Sequence, residues 1–165
     1  MSDFLKDLQQ PEYVHVVLNH LPLTGLCAAV LCLAGALVLK SRPALFLGLA
    51  LVFLFSMSAW PVYEYGQQSY DRVLSMADED GGKYLARHAA MAGRWLFLFF
   101  VTAALAAGAM IVGWKRPRFL TAAVLLVLLL ALGSLGAGAV IADCGGKIRH
   151  REFRVGPAPA EPQNP

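Results

Sequence analysis

Four long apolar runs, broken by two short basic segments and one longer polar one, set the pattern of the chain. They cover about residues 13–39, 44–65, 88–114 and 119–142. A helix needs roughly 20 mostly apolar residues, at about 1.5 Å rise each, to cross about 30 Å of hydrocarbon, and every run meets that length. A backbone in lipid must satisfy its own N–H and C=O groups, so the runs predict helices. They contain no strand-like alternation. The short breaks are Lys40-Ser41-Arg42-Pro43 and Lys115-Arg116-Pro117-Arg118, while the longer one, about residues 66–87, carries Asp71, Asp78, Glu79 and Asp80. The last residues read GPAPAEPQNP, too poor in apolar side chains to fold, so residues 153–165 are expected to form a disordered tail. The expected fold is all-α: an integral membrane four-helix bundle of residues 1–152, running up-down-up-down, with both termini and the long loop at one end.

Composition agrees with lipid as the solvent. Of the 165 residues 58% are hydrophobic and only 15% charged, and the mean hydropathy is +0.56. A net charge of +3, scattered along the chain, gives no footing for nucleic acid. Cys27 and Cys32 lie inside an apolar run and Cys144 stands alone, so the three cysteines form no disulfide framework. The acidic start MSDFLKDLQQPEY lacks the basic opening and small-residue cleavage site of a secretory signal. The two basic breaks hold five Lys or Arg and no acid, which assigns them to the cytoplasm and the termini to the outside. Lys147, Arg149, Arg151 and Arg154 oppose that assignment, because they would then face outward.

The candidate chemistry lies in four histidines. His15 and His20 fall in the opening turns of the first span, His88 starts the third, and His150 follows the fourth. The expected topology gathers all four at one membrane face. Neutral imidazole is the commonest metal ligand and a recurrent axial ligand of haem, and bundles build such sites between facing helices. Five residues advance a helix by about 7.5 Å and turn it by about 140°, so His15 and His20 cannot share one ion from a regular helix face. Pro22 loosens that limit by removing a helix hydrogen bond near Leu18. Arg94, inside the third span, either meets Asp143, Glu64 or a haem propionate, or snorkels to the interface. Met91 is a remote axial candidate whose simpler role is filling the core. The small residues Ala89, Ala90, Ala92, Gly93, Gly133, Ser134, Gly136 and Gly138 admit a flat macrocycle, but helix packing is their simpler explanation. Trp60, Tyr63, Tyr65, Tyr70, Trp95 and Trp114 suit an interfacial belt.

The histidine segments carry a resemblance. His15-Val-Val-Leu-Asn-His20-Leu-Pro22, Tyr65-Gly-Gln-Gln-Ser-Tyr-Asp71, Arg87-His88-Ala-Ala-Met-Ala92 and Gly145-Gly-Lys-Ile-Arg-His150-Arg-Glu152 follow one another in order. Read as H-x4-H-x-P, H-x3-A and G-G-x-I-R-H-x-E, they resemble a family of bacterial four-helix membrane proteins of unassigned activity, some fused to Rieske-type ferredoxin domains. The resemblance covers about residues 13–152, and implies the architecture and a connection with haem. Many relatives carry an acid directly after the third-span histidine. This chain has Ala89 there, so any ligand or proton-carrying role of that acid is absent.

The reading that unites these features is a small b-type haem-binding, electron-transfer subunit of the bacterial inner membrane. His20 and His88 are the preferred axial pair, with His15 and His150 supporting them or forming a more exposed site. Its expected partners are the lipid bilayer, other membrane subunits, and a quinone or periplasmic electron carrier. One alternative is a cofactor-free accessory subunit of a respiratory or photosynthetic complex. Another is a periplasm-facing Zn or Cu site using His88, His150 and Cys144. The sequence contains no catalytic triad, phosphate-binding glycine loop or paired carboxylates within a span.

Overall fold

The computed structural model describes residues 3–160, and no strand occurs among them. The helices are α1 (Asp3–Asp7), α2 (Pro11–Leu18), α3 (Leu26–Val38), α4 (Arg42–Met57), α5 (Ala59–Met76), α6 (Glu79–Lys115) and α7 (Leu120–Arg149). A π-helical turn (Leu21–Gly25) joins α2 to α3, and 3-10 turns occupy Pro117–Phe119 and Arg151–Phe153. Four stretches are long and apolar enough to cross a membrane: Pro11–Val38, Arg42–Met76, Glu79–Lys115 and Pro117–Arg149. By length and composition the chain is a multi-pass membrane protein.

Prolines explain where the first two spans are interrupted. Pro22 has no N–H to offer Leu18, and the chain answers with a wider turn in which Gly25 N–H reaches the His20 carbonyl at 3.2 Å. Pro61 likewise deprives Met57, and the α4–α5 break falls at Ser58, whose hydroxyl donates to the Phe55 carbonyl at 2.6 Å.

The polar segment expected as a loop over residues 66–87 is almost entirely helical. The second span continues to Met76 and α6 begins at Glu79, leaving Ala77 and Asp78 between them. The acidic run is a helix start: Asp78 caps α6 by accepting the Gly81 N–H at 2.7 Å, and Glu79 and Asp80 lie in its first turn, where the helix dipole favours them. The extension also has an apolar face, since Tyr84 and Leu85 are buried with Ile148 in a small cluster outside the main core.

Packing follows chain order. Each span lies against the next, and α3 also packs on α7. Contacts within each pair run in opposite senses along the chain: His15 meets Val62 and Leu33 meets Gly48 in the first pair, His88 meets Ile141 and Thr102 meets Ser134 in the second. The spans therefore form two helical hairpins. The core is aliphatic, with Leu26, Leu33, Leu49, Val52, Val124 and Val127 fully buried. Leu31 and Leu129 are each 68% exposed, the surface expected of a lipid-facing helix. One buried polar bridge crosses the second hairpin, where the Thr102 and Ser134 hydroxyls lie 2.9 Å apart.

The tail also differs from expectation. Arg154 donates to the Lys147 and Ile148 carbonyls at 2.7 and 2.9 Å, capping the C-terminus of α7, and meets Asp78 Oδ2 at 2.9 Å. Arg151 joins the same carboxylate at 2.7 Å, and Ala158 packs against the Tyr84 cluster. Residues through Ala160 thus follow the bundle, and 161–165 lie outside the described residues. The hydrogen bond from Arg154, then that from the Gly81 N–H, holds the Asp78 carboxyl well below the ordinary carboxylate range, with Arg151 adding to the effect. A depressed folded-state value stabilises the fold fully above the ordinary value, and the contribution declines progressively as pH falls from there until it is lost below the folded value.

Two outcomes follow for stability. Replacing Ser134 with Ala should cost roughly 0.6 kcal/mol, and at most about 1.7, in detergent unfolding, because the Thr102 hydroxyl can turn back to its own helix. Asp78→Ala should raise hydrogen exchange in residues 149–158 roughly tenfold or more, whereas the native tail should stay protected down to about pH 4.

Candidate functional site: a histidine pair between the hairpins

His15 lies in α2, one turn past Pro11, and its Nδ1 is 2.8 Å from the Val62 carbonyl of α5. His88 lies in α6, and its Nδ1 is 2.9 Å from the Ile141 carbonyl of α7. A carbonyl oxygen can only accept, so each Nδ1 must carry the proton. In a neutral ring that leaves Nε2 with its lone pair free, and a metal ligand needs that state. The two ring centres are 6.2 Å apart with their planes at 86°.

Glycine lets each ring sit where it does. A Cβ added at Gly66 would lie 3.0 Å from Cε1 and Nδ1 of His15, and one at Gly145 would lie 3.1 Å from the same atoms of His88. Both contacts are tighter than side chains ordinarily tolerate, so an alanine would displace the ring or the helix. The pair sits at the end of the bundle away from the basic turns, roughly 35–40 Å along the helices from Lys40 and Lys115 at about 1.5 Å per residue. With hydrocarbon about 30 Å thick, that is the boundary layer of a bilayer.

The other sequence candidates are elsewhere. The expectation that His20 would partner His88 is not met: His20 is exposed, and its Nδ1 turns back to the Val16 carbonyl of its own span at 3.2 Å. The five-residue offset that separates it from His15 points it away from the hairpin junction. His150 is exposed too, donating to Glu152 Oε1 at 2.8 Å and stacking on Phe153. The Glu152 carboxyl is held below its ordinary range, first by its own backbone N–H and then by His150. Arg94 is exposed with its guanidinium 5.9 Å from the Trp95 ring centre, and Asp143 is paired with Lys147 at 2.6 Å. Cys144 is buried with its Sγ 3.8 Å from the sulfur of Met91. Among the described residues no three His, Cys, Asp or Glu side chains are grouped to hold a metal ion, so His88, His150 and Cys144 do not form the set expected of a Zn or Cu centre.

Sequence reasoning missed the Val62 and Ile141 carbonyls and the two glycines. Backbone carbonyls leave no residue-type signal. The glycines did leave one, since each follows a β-branched residue by four positions and an acid by two: Val62-Tyr63-Glu64-Tyr65-Gly66 and Ile141-Ala142-Asp143-Cys144-Gly145. No protein-family model, curated protein or solved structure matches the chain.

Proposed function

We propose that this protein is a small b-type haem subunit of the bacterial inner membrane, with His15 and His88 as the two axial ligands of one iron. The observation that carries the reading is the pair of adjacent imidazoles, each tied down through Nδ1 to a helix carbonyl, which leaves Nε2 as the nitrogen through which each would bind iron. The ring centres lie 6.2 Å apart, close enough that His15 and His88 would be the residues to hold one iron between them. Haem asks for only two protein ligands, and His15 and His88 are the two histidines whose rings lie side by side.

Bound there, haem would supply one-electron transfer. The chain's own work is to hold both rings in one tautomer, fix their planes, and keep the site at the membrane edge. Arg87 and Arg94, exposed cations on either side of His88 without a carboxylate partner among the described residues, are free to meet an acidic edge group. The basic turns support a cytoplasmic placement of their own end, and an up-down-up-down course would then set the pair at the periplasmic face, within reach of a quinone or a water-soluble carrier. The ordered histidine motifs support membership in the family they resemble, and other membrane subunits are natural partners for so small a chain.

Protein purified in detergent should show a Soret band. His15→Ala or His88→Ala should abolish it, whereas His20→Ala and His150→Ala should keep it. The near-perpendicular planes should give the ferric form a strongly anisotropic low-spin EPR signal, with its low-field feature beyond that of parallel bis-imidazole haem. A folded protein that stays colourless with haem supplied would overturn the proposal and leave a cofactor-free accessory subunit.

A further inference from the structure

We propose that the histidine pair is a duplicated half-site, one copy per hairpin, in which Gly66 and Gly145 are positioning residues that give each imidazole access to a carbonyl inside a helix. This rests on the proposed haem reading for its purpose, but its geometry stands without it.

Within each hairpin the parts correspond. The first span supplies the histidine and the second supplies the carbonyl, 47 residues later for His15 and 53 residues later for His88. A glycine follows each carbonyl residue by four positions, and an acid, Glu64 or Asp143, lies midway. The link between spans is short and basic both times, with Arg42-Pro43 in one and Arg116-Pro117 in the other. The matched hydrogen bonds differ by only 0.1 Å, as do the matched glycine contacts. The interruption by Pro22 has no counterpart in α6, so the duplication is one of site parts, not of every turn.

The position of the glycine has a physical reason. In an α-helix the carbonyl of residue i already accepts the N–H of residue i+4, and a second donor must reach its other lone pair past nearby side chains. The side chain at i+4 begins beside that oxygen. Val62 is followed at this spacing by Gly66 and Ile141 by Gly145, and the missing Cβ in each case is the space that the imidazole fills. Elsewhere in the same helix the requirement is absent: a Cβ at Gly133 or Gly136 would meet nothing within 4 Å. Each glycine therefore acts on one named ring. It lets Nδ1 reach its acceptor, which fixes the tautomer and orients Nε2.

Imidazole 15N NMR of the haem-free chain in micelles tests this directly. His15 and His88 should both show a protonated Nδ1 and a lone-pair Nε2. Gly66→Ala should shift only the His15 nitrogens and Gly145→Ala only those of His88, with Gly136→Ala shifting neither. In haem-loaded protein, each of the first two variants should move the low-field EPR feature while Gly136→Ala leaves it in place. Finding either native ring protonated at Nε2 would overturn the proposal, as would unchanged histidine resonances in folded Gly66→Ala and Gly145→Ala. If an alanine variant does not fold, the native tautomers alone decide. Because the NMR arm uses no haem, a colourless protein with the expected tautomers would reject the haem reading and keep the duplicated half-site.

Discussion

An imidazole that donates to a helix carbonyl is fixed in more ways than one. The bond selects the tautomer, sets the ring plane, and commits one nitrogen so that the other is left available. In this protein two such bonds, His15 to Val62 and His88 to Ile141, determine what the polar end of the bundle can do. Without them two histidines at the membrane edge would be ordinary interfacial side chains. With them the rings are held 6.2 Å apart with their planes at 86°, and the helices around them must keep two carbonyls and two glycines in register.

The rest of the fold is arranged to keep that register. The aliphatic core binds the spans along their length, and the Thr102–Ser134 bridge adds a directional contact within the second hairpin. At the site's own end, Asp78 caps α6 and holds Arg151 and Arg154, while Arg154 caps α7. The two helices that carry His88 and its acceptor are thus tied together just beyond the pair. Burial of a few large side chains would not by itself specify rotation of one helix against another. The polar contacts do.

The four spans were legible because apolar run length is a nearly sufficient signal in a lipid solvent. The gathering of histidines toward one end was legible from span order. The helical extensions at 66–87 were not, because a window rich in Gln, Asp and Glu looks the same whether it is a loop or the wet end of a helix. The deciding feature, an Asp N-cap ahead of Gly81, is local and short. The choice of His15 over His20 depends on helix rotation and on the wide turn at Pro22, neither of which is fixed by depth along the span. The tail was read from composition alone, which cannot foresee that Arg154 finds two open carbonyls and a carboxylate.

Several kinds of ligand set could give a coloured membrane protein, and Met91 lies close in sequence to His88. Near-infrared magnetic circular dichroism of the ferric, haem-loaded native chain separates them, since its charge-transfer band reports the identity of both axial ligands. The account predicts a single bis-imidazole band at one haem per chain. A histidine–methionine band, or a high-spin spectrum with one imidazole, would contradict it.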